Sequence, residues 1–192
     1  MVAQPIATMR EAEYLAFERA SEARHEFRDG NVYAMAEIAL RHRHIVSSSA
    51  FHLHTQLRGT DCTVLITSMR VKVATTGFYA YPDVLVHCGQ PRLEDSFADT
   101  LLNPMVLIEV LSPASANYDR STKWLHYQQM ESLQEYLLMA HDKPMIEHYV
   151  RENARSWIYR TTSGSGLDAI VKLPTIGCTL KLAEAYEQVS LD

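Results

Sequence analysis

The run "PMVLIEVLS", residues 104–112, constrains this chain more than any other segment. It reads as a buried strand, apolar almost throughout and stopped by Pro113, yet one carboxylate, Glu109, is set inside it. Alternation along a strand puts Leu107, Glu109 and Leu111 on one face and Ile108 and Val110 on the other. Withdrawing an ionised carboxylate from water is costly unless a cation or hydrogen bonds offset it. Something positive must therefore lie near Glu109.

The rest of the chain supplies the layers such a strand needs. Residues 10–23 have the composition of a short amphipathic helix with Tyr14, Leu15 and Phe17 as its apolar positions. "RHEFRDGNVYAMA" reads as a hairpin turning at Asp29-Gly30. Ile45, Val46, Ala50, Leu53 and Leu57 are spaced for a helix from Leu40 to a stop at Gly59. "CTVLIT", "MRVKVAT" and "YPDVLVHC" are β-rich, with Pro82 at a strand entrance. After a polar connection over residues 89–103 and the central strand, Asn117 is the expected N-cap of a helix over 118–130. "EYLLMA", "MIEHYVR" and "SWIYRT" read as three further strands, and the tail as a loop, short β segments and a last helical turn. This order predicts an α/β or α+β fold, a mixed sheet flanked by helices, in one domain spanning residues 1–192.

The net charge of -5 argues against a broad, nonspecific nucleic-acid coat and leaves room for a local basic groove. Cys62, Cys88 and Cys178 are odd in number and lack short metal-type spacing, so they read as reduced, small apolar residues. The first residues lack the apolar core of a signal peptide. No apolar run approaches the roughly 20 residues that span a bilayer. A soluble, cytoplasmic protein is expected.

Asp83 opens one expected strand and Glu109 lies in another. If those strands are neighbours, the two carboxylates converge at one end of the sheet, where hard oxygen ligands suit Mg²⁺ or Mn²⁺. Lys123 falls about two turns into the expected helix, with Tyr127 one turn further on the same face. A divalent metal, two carboxylates and a lysine are the parts that phosphodiester hydrolysis needs.

"YPDVLV", "LLNPMVLIEVLSPASANYDRSTKWLHY" and "SLQEYLL" resemble the Uma-two family of endonuclease-like proteins, within the PD-(D/E)XK nuclease superfamily. The resemblance runs from "EYLAFERASEARHEFRDGNVYAM" to "LDAIVKLPTIGCTLKLAEAYE", nearly the whole chain. It implies a restriction endonuclease-like fold and a Mg²⁺- or Mn²⁺-dependent endonuclease acting on DNA. Asp83 and Glu109 are then metal ligands, Lys123 the catalytic lysine, and Glu26 a further acidic residue of the site. Two positions depart from the pattern. Leu111 stands where the superfamily signature has a strand lysine, a role that the resemblance moves to Lys123. Ser68 stands where relatives often have an acidic residue, which leaves Arg70 as a phosphate contact.

Plainer alternatives stand beside these readings. Asp83 can satisfy backbone donors at a strand start. Glu109 can form a structural salt bridge with Lys123 or Arg120, and Glu26 one with Arg24 or Arg28. His42, His44, His52 and His54 lack the i,i+4 spacing of a helical zinc site. Arg41, Arg43 and Arg58 form either a phosphate-facing stretch or a solvated helix face. Trp124 and Tyr127 read as core. For the whole chain, the rival to the enzyme is a catalytically inactive nuclease-like domain that binds DNA or protein. A third reading is a structural homo-oligomer. An exposed C-terminal strand also offers a homodimer contact.

Overall fold

In a computed structural model, residues 4–35, 38–66, 69–163, 168–187 and 189 are described. The first half runs β1 (Ala7–Thr8), α1 (Glu11–Ala20), β2 (His25–Arg28), β3 (Asn31–Ala34), α2 (Leu40–Gln56), β4 (Cys62–Ile66), β5 (Arg70–Val73), β6 (Phe78–Ala80) and β7 (Val84–Cys88). Next come β8 (Thr100–Leu101), β9 (Val106–Leu111) and a helix built from α3 (Ala116–Tyr118), a π-helical turn (Asp119–Lys123) and α4 (Trp124–Tyr127). The chain continues with β10 (Glu135–Ala140), β11 (Met145–Arg151), β12 (Trp157–Ser163), β13 (Ile170–Leu173), β14 (Cys178–Lys181) and α5 (Leu182–Ala185).

The fold is mixed α/β, and its strands divide between two six-stranded sheets and a separate β13–β14 hairpin. One sheet has the order β1-β3-β2-β6-β5-β8, the other β12-β11-β10-β9-β7-β4. In the second sheet β9 lies between β7, antiparallel to it, and β10, parallel to it. That central place explains the apolar run: every residue of β9 is buried. Ile108 and Val110 pack towards α2 and the C-terminal hairpin, in one core with Ile45, Leu53, Leu173 and Leu180. Leu107 and Leu111 point the other way, into a second core with Val71, Phe78 and Leu101 of the first sheet and with Tyr127. The second sheet is thus covered on both faces, and the side of β9 that carries Glu109 faces the space shared by the first sheet and the α3–α4 helix.

Three features differ from the sequence expectation. β1, β6 and β8 are strands too short to show a periodic signal. The helix after β9 begins at Ala116, not after an Asn117 cap. Ser112 and Ser115 hold its start, the Ser112 hydroxyl accepting from the Ser115 N–H at 3.1 Å and the Ser112 carbonyl from the Ala116 N–H at 2.9 Å. The cysteines are not all reduced: Cys62 and Cys88 are disulfide-bonded and only Cys178 is free. The β4–β7 register places Cys62 directly opposite Cys88, a pairing that their separation of 26 residues does not reveal. Among the described residues no helix is long and apolar enough to cross a membrane. The expectations at Ser68 lie outside the described residues.

Candidate active site

The antiparallel pairing of β7 and β9 sets Val84 opposite Ile108, so Asp83, one residue before β7, lies beside the Glu109 end of β9. The Val110 N–H donates to Asp83 Oδ2 at 2.7 Å, and His42 Nε2 lies 2.8 Å from Asp83 Oδ1. Glu109 Oε1 takes two donors from the helix, Lys123 Nζ at 3.0 Å and the Tyr127 hydroxyl at 3.1 Å. These donors are four residues apart and therefore share a helix face. Glu26 enters from the first sheet. Its Oε1 is 3.0 Å from Lys123 Nζ, and its Oε2 accepts from the Tyr118 hydroxyl at 2.8 Å. Asp119 completes the surround, its Oδ1 3.4 Å from Lys123 Nζ across the π-helical turn. Such turns interrupt helices frequently at functional sites.

One lysine thus stands among three carboxylates, with Asp83 adjoining, and all five side chains belong to buried residues. Burial works against the Lys123 charge, but Glu109, Glu26 and Asp119 overcome it and hold the ammonium well above the usual lysine range. Burial pushes the Glu109 carboxyl well above the usual carboxylate range. Lys123 opposes that push, and Asp119, Asp83 and Glu26 add to it. The hydroxyls of Tyr118 and Tyr127 are pushed up by burial and by Glu26 and Glu109 respectively, so both remain donors. Four acidic side chains surround one ammonium in a buried place, an excess of acid over base.

That surplus, offered by oxygen donors alone at Asp83 and Glu109, fits a hard divalent cation, which takes one or two carboxylates and keeps several waters. Glu26, Glu109 and Asp119 converge on Lys123, while Asp83 is held by His42 and the Val110 N–H. Among the described residues, the one group of three His, Cys, Asp or Glu side chains with ligand atoms within 4.8 Å of one another is Asp61, Cys62 and Cys88. The acidic cluster forms no such three-ligand group, so any cation there would have at most two protein ligands at that spacing, and Asp83 and Glu109 are the pair that the strand register sets side by side.

The structure gathers Glu26, Asp83, Glu109 and Lys123 in one place, and it corrects several neighbouring readings. Arg70 is no phosphate contact: it is buried, donating to Asp99 Oδ1 at 2.9 Å, Thr100 Oγ1 at 3.0 Å and the Tyr81 hydroxyl at 3.2 Å. Arg120 pairs with Glu147 rather than Glu109. Glu26 pairs with Lys123 rather than Arg24 or Arg28. Arg43 and Arg58 are exposed on the α2 side. Trp124 stacks among Tyr136, Tyr149 and Trp157 as core, whereas Tyr127 is both core and a donor to Glu109.

Sequence reasoning missed three participants. Asp119 was accessible to it, four residues before Lys123 on the same helix. Tyr118 and His42 were not, since their partners Glu26 and Asp83 lie 92 and 41 residues away.

Two uncharacterized proteins of Synechocystis sp. are similar over most of their length. One is 27% identical over 88% of this chain and 95% of its own; the other is 30% identical over 95% and 93%. A crystal structure described as "a putative nuclease belonging to DUF820", from Anabaena variabilis, matches with a TM-score of 0.76 at 16% identity. It covers 96% of this chain and 99% of that one, a likeness of fold. The span 11–183, which takes in α1, the whole acidic cluster and the C-terminal hairpin, matches the family Uma2, "Putative restriction endonuclease", and the chain belongs to that family.

Proposed function

We propose that this protein is a Mg²⁺- or Mn²⁺-dependent endonuclease that hydrolyses DNA phosphodiester bonds at the Glu26–Asp83–Glu109–Lys123 cluster. The observation that carries this reading is the buried surplus of carboxylates over cations, a costly arrangement that a pure binding module has no reason to maintain. Family membership supports the same chemistry.

Asp83 and Glu109 would hold the divalent ion. When bound, such an ion polarises a phosphate oxygen and lowers the pKa of a coordinated water. The chain's own residues do the rest. The Val110 N–H and His42 hold the Asp83 carboxylate from two elements, so that its oxygens keep one orientation. Tyr127 holds Glu109 in the same way. Lys123 places a full positive charge beside Glu109, where it stabilises charge developing on a phosphate or orients the attacking water. Glu26 and Asp119 keep that ammonium protonated and in position.

The test is incubation of the purified protein with supercoiled plasmid and with single-stranded circular DNA, in Mg²⁺, Mn²⁺, Ca²⁺ or chelator. Strand breaks are expected in Mg²⁺ or Mn²⁺ and not in chelator, with Ca²⁺ inefficient. Intact DNA under every metal would leave the inactive binding module as the better account.

A further inference from the structure

The histidine of α2 that touches Asp83 has no part in the sequence motif, and its surroundings define how it acts. His42 is only 7% exposed. Nε2 lies 2.8 Å from Asp83 Oδ1, while Nδ1 is buried with no hydrogen-bond partner. A neutral imidazole carries one N–H. On Nδ1 that proton would be a buried donor with no acceptor, and the Nε2 lone pair would face the carboxylate. On Nε2 the proton bonds Asp83, and Nδ1 forgoes only an acceptor contact. Orphaning the donor would also lose the bond to Asp83, so the proton sits on Nε2.

We infer that His42 is the positioning residue of the Asp83 carboxylate, donating Nε2–H to Oδ1 so that Asp83 presents its remaining lone pairs to a divalent cation. This rests on the nuclease reading above and deepens it. Oδ2 is fixed by the Val110 N–H of β9 and Oδ1 by α2, so the carboxylate plane is set by two elements that pack on each other. Each carboxylate oxygen has two lone pairs, and one donor on each leaves the other free. Donors of this kind tune a metal site without touching the ion, and their loss typically weakens binding 10–100-fold.

The experiment titrates Mn²⁺ alone into the full-length wild type and into His42→Ala, His42→Gln and His42→Asn, following free Mn²⁺ by electron paramagnetic resonance. Each protein is also melted in chelator. His42→Ala should bind Mn²⁺ about 10–100-fold more weakly. Gln places an amide nitrogen near the Nε2 position and should recover most of the affinity. Asn places its nitrogen near the Nδ1 position and should not. If His42→Ala fails to fold, the Gln and Asn pair still decides the matter. Wild-type affinity in His42→Ala would overturn the role of His42 alone. So would equal losses in Gln and Asn that merely follow their melting temperatures. A wild-type protein that binds no Mn²⁺ would refute the metal reading of Asp83, and the role of His42 with it.

Discussion

Lys123 Nζ stands 3.0 Å from Glu109 Oε1, and this contact answers the demand made by a glutamate in a buried strand. The cation beside Glu109 is supplied by the chain. It does not balance the site, because Glu26 and Asp119 share the same ammonium and Asp83 acts on Glu109 as a further acidic neighbour.

Removing that ammonium should harm the fold as well as any activity. In Lys123→Met, three buried carboxylates lose their common cation. Unfolding in urea with chelator should show a loss of about 3–5 kcal/mol at neutral pH, smaller in acid, where the carboxylates can protonate. An exposed, unpaired lysine would give a change within about 0.5 kcal/mol at any pH.

Glu109 links stability to pH with a definite sign. Its folded-state pKa lies above its unfolded value, so the folded state binds more protons between the two. The stability it contributes is fully present below the ordinary carboxylate range, about pH 4.3, and is lost as pH rises through the raised value. Glu109→Gln should flatten that decline, measured by melts in chelator. Lys123 keeps Glu26 and Asp119 as partners in this variant, so little stability should be lost at neutral pH. A loss of several kcal/mol would show Glu109 to be the indispensable partner of Lys123.

The Cys62–Cys88 bond closes a segment of 26 residues between the edge strand β4 and β7. Loop-closure entropy gives a cross-link of that span about 3–4 kcal/mol of stability. Cys88→Ser should lower the urea midpoint accordingly, and a thiol reductant should lower that of the wild type alone. Equal midpoints with and without reductant would contradict a stabilising bond.

What the sequence disclosed here was local, and what it concealed was long-range. The alternation of Leu107, Glu109 and Leu111 against Ile108 and Val110 gave the two faces of β9, and helical spacing placed Lys123 and Tyr127 together. Arg70 misled because Ser68, two residues before it, stands where an acidic residue is expected, which leaves the arginine without an evident counter-ion nearby in sequence. Strand β5 is instead enclosed by β6 and β8, and Arg70 lies over the rings of Tyr14, Tyr79 and Tyr81 with Asp99 as its counter-ion. The disulfide depended on the β4–β7 register, and the His42–Asp83 contact on how α2 packs against the sheet. Neither leaves a trace in residue spacing.

The decisive measurement for metal-dependent cleavage at this cluster is the initial rate of plasmid nicking in Mn²⁺, compared between wild type and Asp83→Ala purified side by side. If Asp83 holds the catalytic ion, the wild type nicks in Mn²⁺ and not in chelator, and a folded Asp83→Ala protein nicks at a rate at least about a hundredfold lower. Nicking that persists undiminished in Asp83→Ala would place the activity elsewhere than at this cluster.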